Sequence, residues 1–194
     1  PVTNGDIEVN NIILSSLKKI TPDIPIVSEE TAENKNLNLE TFWLVDPIDG
    51  TYDYIQNRDE FTLNAGLIIN KEAVAGIIYA PAKDRMFYSY GNKLSYELKN
   101  GKEEIINNKE IDKNYIKAVS YSNNLKDEII DIHKKLNVKE YIKMKSSLKF
   151  CVIATGEYQV YVAEPRAHEW DIAAGHAILK NSSGVITDFD GNDI

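Results

Sequence analysis

The stretch Trp43–Tyr54, WLVDPIDGTYDY, decides how the rest of the chain is read. An apolar run, Trp43-Leu44-Val45, leads directly into Asp46-Pro47-Ile48-Asp49-Gly50-Thr51. The run reads as a buried strand. The residues after it have good turn chemistry: proline presets φ, aspartate bonds its own backbone, and glycine tolerates positive φ. A plain turn is therefore one reading. The other starts from the strand, which delivers Asp46 and Asp49 at its C-terminal end. A turn there points both carboxylates, and a carbonyl between them, at one spot. Oxygen ligands alone suit Mg²⁺, which binds through one or two carboxylates plus substrate phosphate and keeps its remaining waters. Gly50 and Thr51 would open a helix, whose free N–H groups form an anion site. A cation site and a phosphate site would then lie side by side.

Two more acidic spots join this one. PIVSEE places Glu29 and Glu30 at the end of another strand, and HEWDIAAGHAIL places Asp171 in the first turn of a helix. Each has a plain explanation: an exposed Glu pair is solvated, and an Asp in a first turn favours the helix dipole. Their joint occurrence in this order carries more than either does alone.

At the N-terminal end, Thr3–Ile20 reads as a helix with Val9, Ile13, Leu17 and Ile20 on its apolar stripe. Pro25–Ser28 and Phe42–Val45 read as strands, separated by a polar surface loop over Thr31–Glu40. Leu63, Ala65, Leu67 and Ile69 alternate as the buried side of a half-buried strand. Ala73–Tyr79 returns, and Arg85–Tyr90 with Lys93–Leu98 forms a hairpin through Gly91-Asn92. The first half is thus one helix and a set of antiparallel strands. Lys99–Lys113 is polar and loop-like. Alternation of strand and helix then begins: strand Ile116–Tyr121, a helix with Leu125, Ile129, Ile132 and Leu136 on one face, a strand near Tyr141–Met144, and a helical stretch from Ser147. Strand Tyr158–Val162, helix Glu169–Asn181 and strand Val185–Phe189 complete it. This implies an N-terminal α+β domain over 1–115 and a C-terminal α/β domain over 116–194.

With 194 residues, 43% hydrophobic and 27% charged, the chain has enough material for a sizeable core. A formal net charge of −8 gives it no electrostatic case for nucleic acid or an anionic membrane. Handling phosphate then requires positive charge recruited locally. A single cysteine, Cys151, permits no intramolecular disulfide and fits a reducing compartment. The expected location is the cytoplasm or the inner face of its membrane. No run approaches the ~18 apolar residues of a membrane span. Cys151, between Phe150 and Val152, reads as core, His168 and His133 as solvated, and His176 as packed on a helix face. The chain opens at Pro1 inside what reads as a motif and is expected to be a piece trimmed at both ends.

PVTNGD, PIVSEE, WLVDPIDGT and EWDIAAGHAIL, in that order, resemble the inositol monophosphatase superfamily of Mg²⁺-dependent, lithium-sensitive phosphatases. Within it, SSLKFC (Ser146–Cys151) together with the later WDIAAGHA looks most like the 3′(2′),5′-bisphosphate nucleotidases of the CysQ type. The resemblance implies a layered αβαβα sandwich of the inositol monophosphatase and fructose-1,6-bisphosphatase type, truncated at both ends. It implies two or three Mg²⁺ ions held by Glu29, Asp46, the carbonyl of Ile48, Asp49 and Asp171. Asp6 and Thr51 would orient the attacking water, with Glu29 also in the catalytic set. Gly50, Thr51, Ser146, Lys149 and Asp171 would meet substrate, Ser146 and Lys149 at the nucleotide's second phosphate. In these nucleotidases a Pro-Arg pair comes just after the tyrosine of the preceding strand. Here the stretch is YVAEPRAHEWD, with Pro165-Arg166 later, so Arg166 is the substitute. The implied reaction removes the 3′-phosphate of adenosine 3′,5′-bisphosphate to leave AMP, in sulfate assimilation or nucleotide clearance. The alternatives are an inositol- or sugar-phosphate monophosphatase and a non-catalytic phosphate-binding fragment. A small phosphorylated molecule is the expected partner, with a homodimer as the expected assembly.

Overall fold

The computed structural model describes residues 1–32, 39–106 and 111–194. Parts of the two expected loops, 33–38 and 107–110, lie outside the described residues. Helix α1 (Asn4–Ile20) begins at Thr3, whose hydroxyl oxygen accepts the Asp6 N–H while the Asp6 carboxylate accepts the Thr3 N–H, a reciprocal cap. Its buried face keeps most of the expected stripe, with Leu17 buried and Val9 and Ile13 half-buried, and adds two polar residues. Asp6, Asn10 and Leu17 are buried, while Ile20 is 73% exposed. Asn10 turns inward because Ser28 donates to its Oδ1 at 2.7 Å.

Seven strands form one sheet in chain order: β1 (Ile26–Ser28), β2 (Thr41–Asp49), β3 (Thr62–Ile69), β4 (Glu72–Ala80), β5 (Arg85–Ser89), β6 (Tyr96–Lys99) and β7 (Lys102–Ile105). β1 runs parallel to β2, and every later pair is antiparallel. β7 occupies a stretch expected to be loop. Its four residues are exposed and charged but for Ile105, so only the ladder to β6 marks it as a strand. A second sheet is parallel, in the order β10 (Val160–Tyr161), β8 (Ile116–Ser120), β9 (Val138–Lys143). Helices α3 (Asp127–Lys135), α4 (Leu148–Ala154) and α5 (Glu169–Asn181) complete the chain, with a short α2 (Thr51–Ile55) after β2. The expected strand Val185–Phe189 is only an isolated bridge between Thr187 and Asp193, because the turn at Asp188–Asn192 folds it back on itself.

The order of layers is set by the packing. Trp43 Nε1 donates to Thr21 at the end of α1, so odd positions of β2 face α1. Leu44 packs with Ala173 and Ala177, so even positions face α5. β3 alternates as expected but in the opposite phase. Thr62, Asn64, Gly66 and Ile68 are the buried set, and Leu63, Ala65 and Leu67 are half-buried. The small-residue face of α5 sits directly on that side, where a Cβ at Gly66 would come within 2.8 Å of Ala173. Beyond α5, Ile78, Phe87, Val119, Leu148, Cys151 and Ile178 form one core joining both sheets through α4 and α5. The sequence of layers is α1, large sheet, α4 with α5, small sheet, α3. His133, expected in water, is buried against Tyr141, and burial lowers its pKa. Among the described residues no helix is long and apolar enough to cross a membrane.

Candidate active site

Asp46 and Asp49 are three residues apart, an odd spacing that places them on opposite faces of a regular strand. The structure contains no turn at this point. β2 continues through the motif with a bulge, so that Asp46 pairs with Asn64 and Asp49 with Thr62. Three steps on β2 oppose two on β3, and the extra residue returns Asp49 to the face of Asp46. Pro47 suits the break, since it has no N–H to lose from the ladder. Both carboxylates therefore face α5, where Asp171 sits in the first turn. One oxygen from each of Asp46, Asp49 and Asp171 lies within 4.8 Å of the others.

Asp46 is buried and its Oδ1 has no hydrogen-bond partner. Burial, then the neighbouring Asp49, Glu29 and Asp171, push its carboxyl far above the ordinary range, to about 10. Asp171 is raised by burial and by Asp49, against the His168 N–H that donates to its Oδ2 at 2.9 Å. Glu29 comes directly after β1, and its N–H bonds the Val45 carbonyl at 3.0 Å, which holds it beside Asp46. Partial desolvation raises its carboxyl, the contact with Asp46 opposes this, and Asp171, Asp49 and Asp6 add to it. An oxygen-only cluster with a buried, unpartnered carboxylate oxygen fits a hard divalent cation. Such an ion would take the place of the proton that burial and like-charge crowding otherwise keep on Asp46.

Beside the cluster, Gly50 takes φ +97° and caps α2, and a Cβ there would lie 2.7 Å from the Glu60 carbonyl. The Thr51 hydroxyl lies 3.3 Å from Asp6 Oδ1 and 3.1 Å from the Ile48 carbonyl. Asp6 Oδ2 accepts the Thr3 N–H at 2.7 Å and the Thr3 hydroxyl at 2.5 Å, so the capping carboxylate of α1 also holds Thr51. Ser146 is buried and donates to Glu60 Oε1 at 2.9 Å. Lys149 is buried as well. Its ammonium donates to the carbonyls of Lys145 and Ser146 at 2.9 and 3.1 Å and lies over the rings of Phe150 and Tyr161. Burial lowers its pKa against the pull of Asp49 and Asp171. Arg166 lies over the Tyr121 ring at 4.1 Å. Cys151 is core, and burial raises its thiol well above the ordinary value. His168 opens α5, stacked on Trp170 at 4.9 Å.

Sequence reasoning missed Ser147, Asn64 and Glu60. Ser147 lies inside the quoted SSLKFC motif, and its N–H donates to Asp49 Oδ2 at 2.5 Å. Asn64 stands opposite Asp46. Asn64 lies on the phase of β3 opposite to the one its leucines suggest as buried, so no pattern in the sequence singles it out.

The inositol monophosphatase family model matches residues 1–194. The 3′(2′),5′-bisphosphate nucleotidase CysQ of Buchnera aphidicola is 36% identical over 197 residues, covering all of this chain and 73% of that protein. CysQ of Salmonella typhimurium is also 36% identical, covering all of this chain and 78% of its own. Among solved structures, CysQ from Bacteroides thetaiotaomicron superposes with a TM-score of 0.79 at 30% identity, covering 91% of this chain and 72% of the other. The IMPase of Thermotoga maritima superposes at 0.81 with 27% identity, covering the whole chain and 74% of that protein. The family model spans the whole chain and the similar structures share its fold, so the chain belongs to the inositol monophosphatase family.

Proposed function

We infer that this protein is a metal-dependent phosphomonoesterase that removes the 3′-phosphate of adenosine 3′,5′-bisphosphate to give AMP. The observation that carries it is the meeting of Asp46, Asp49 and Asp171 from two ends of a chain that matches CysQ nucleotidases throughout. Asp46, Asp49, Asp171 and Glu29, with the Ile48 carbonyl, would hold Mg²⁺, proposed as two or three ions. Such ions supply Lewis-acid polarisation of the phosphoryl oxygens and lower the pKa of bound water.

The chain's own residues supply the direction of attack. Thr51 has one hydroxyl hydrogen and two acceptors in reach. With that hydrogen committed to Asp6 or to the Ile48 carbonyl, its oxygen accepts from a water. That water's oxygen attacks phosphorus in line with the departing 3′-oxygen. The P–O3′ bond breaks; of the two protons of the water, one ends on O3′, which becomes the hydroxyl of AMP, and the other stays on the released hydrogen phosphate. Backbone N–H groups at Gly50 and Thr51 would receive the phosphate. Ser146 and Lys149 are proposed for the second phosphate. That contact requires Ser146 to exchange Glu60, and Lys149 one of its two carbonyls, for phosphate oxygen. We also propose that 1–115 and 116–194 act as two units meeting at this site, in a cytoplasmic homodimer.

Phosphate release from adenosine 3′,5′-bisphosphate and from inositol 1-phosphate, with Mg²⁺ and with chelator, tests the reading. Faster turnover of the nucleotide, abolished by chelation, is expected. Preference for inositol phosphate would favour the second reading, for which the Thermotoga IMPase likeness speaks. Full turnover in chelator would overturn the metal mechanism.

A further inference from the structure

We propose that Ser147 is a positioning residue, which fixes the carboxylate of Asp49 and ties it to the first turn of α5. The proposal rests on the reading that Asp49 and Asp171 hold the cation. Ser147 has no solvent exposure. Its N–H and its hydroxyl both lie 2.5 Å from the same oxygen, Asp49 Oδ2, and the hydroxyl is also 2.7 Å from the Asp171 carbonyl. Asn64, on the neighbouring strand, donates to the hydroxyl oxygen at 3.1 Å. One side chain thus joins the end of β2, the middle of β3, the start of α4 and the start of α5.

A hydroxyl carries one hydrogen, so it cannot donate to Asp49 and to Asp171 together. The fixed N–H holds Oδ2 whichever way that hydrogen turns, and the Asn64 amide occupies a lone pair on the far side. The hydroxyl hydrogen is therefore confined to the side of the two ligand residues. With Oδ2 held, rotation of the Asp49 carboxylate is stopped, and Oδ1 is left for the cation. Ser147 stands at the cap position of α4 but makes no side-chain capping bond there, so helix initiation does not account for it. The turn it sits on is stiff, because the Lys149 ammonium binds the carbonyls of Lys145 and Ser146 just ahead of it. Groups that orient a ligand from behind typically change metal affinity ten- to a hundredfold when removed.

The test is Mg²⁺ binding to the whole chain by titration calorimetry without substrate, for wild type, Ser147→Ala, Ser147→Cys and Asp49→Asn. Ser147→Ala keeps the N–H and loses the hydroxyl, so about a tenfold weaker Mg²⁺ affinity is expected. Its KM for the nucleotide at saturating Mg²⁺ and its unfolding midpoint in chelator should stay near wild type. Ser147→Cys keeps the volume with a weak donor, so it should fall between the two and covers the case of an alanine variant that does not fold. Unchanged Mg²⁺ affinity in both serine variants, with affinity lost in Asp49→Asn, overturns the positioning role alone. A lowered midpoint with unchanged affinity assigns Ser147 to folding and overturns it too. Unchanged affinity in Asp49→Asn overturns the cation reading, and with it this inference.

Discussion

Two of the charged clusters drawn into this fold are balanced in opposite ways. Around Arg85 the protein supplies both signs. The guanidinium meets Glu97 at 2.6 Å and Glu157 at 2.5 Å, tying β5 to β6 and to the turn after α4. Burial alone would raise the Glu157 carboxyl, yet Arg85 holds it below the usual range. Around Asp46 the protein stacks one sign. The groups that shift it are burial and three more carboxylates, Asp49, Glu29 and Asp171. Lys149 is near enough to feel Asp49 and Asp171, but its ammonium is engaged by backbone carbonyls. The first cluster is complete as folded and holds elements together. The second is arranged for positive charge brought from outside, which is how a chain of net charge −8 can handle a polyanion.

Substitution separates the two. Asp46→Asn and Asp49→Asn should each lower turnover by about three orders of magnitude, about 4 kcal/mol of transition-state stabilisation. In chelator their unfolding midpoints should hold or rise, since Asp46→Asn removes the cost of keeping a buried carboxyl protonated and Asp49→Asn removes a carboxylate from the crowd. Phosphate release and calorimetry check both, and a variant keeping a tenth of normal turnover leaves the ligand set. Thr51→Ala should lower kcat about a hundredfold with KM within about twofold, because the backbone N–H remains. A pure KM effect would make Thr51 a binding residue.

Arg85→Met should do the reverse of the aspartate changes. It leaves Glu97 and Glu157 unpaired and should lower stability by about 2 kcal/mol, less than a fully buried pair because Glu157 is 41% exposed. Denaturant unfolding measures it, with kcat expected unchanged. A kcat loss as large as that of Asp46→Asn would join the two clusters functionally and dissolve the contrast.

The last contrast is in pH. The raised carboxyls of Asp46, Glu29 and Asp171 keep protons in the folded chain that the unfolded chain releases near pH 4. Their contribution to stability is therefore full below that pH and is lost as pH rises through the folded values, about 10 for Asp46. In chelator the unfolding midpoint should fall from pH 5 to pH 8. Asp46→Asn should flatten the fall, and Mg²⁺ should reverse it. No difference between wild type and Asp46→Asn would mean that Asp46 is as well compensated as Glu157.

Elements whose character lies in their own residues were legible. Helix Glu169–Asn181 has the expected bounds, as its apolar positions recur at helical spacing and its first turn is acidic. The motif residues Asp46, Asp49 and Asp171 could be grouped because their order along the chain is distinctive. What needed the partner element was not legible. The phase of β3 depends on which face α5 covers, and the leucines of that strand pointed to the other one. The bulge looked like a turn because Pro-x-Asp-Gly supports both, and only pairing with Asn64 and Thr62 distinguishes them. β7 is polar throughout save one residue, and Val185–Phe189 pairs, among the described residues, only through the single bridge from Thr187 to Asp193. Ser147 resembles Ser146 in sequence, and their acceptors, Asp49 and Glu60, come from distant segments.

The bed on which α5 rests is cut from two glycines. A methyl group at Gly66 would meet Ala173 and Ala174 at 2.8 Å, and one at Gly76 would meet the Ala174 carbonyl at 2.5 Å. The helix therefore rides at a height set by two missing carbons, and Asp171 rides with it, less than one turn away. Gly66→Ala would jack the helix off the strands while leaving every acidic residue intact. Such an enzyme would behave as though starved of its ion, and because the gap itself would be too wide, extra salt in the medium would only partly cure it.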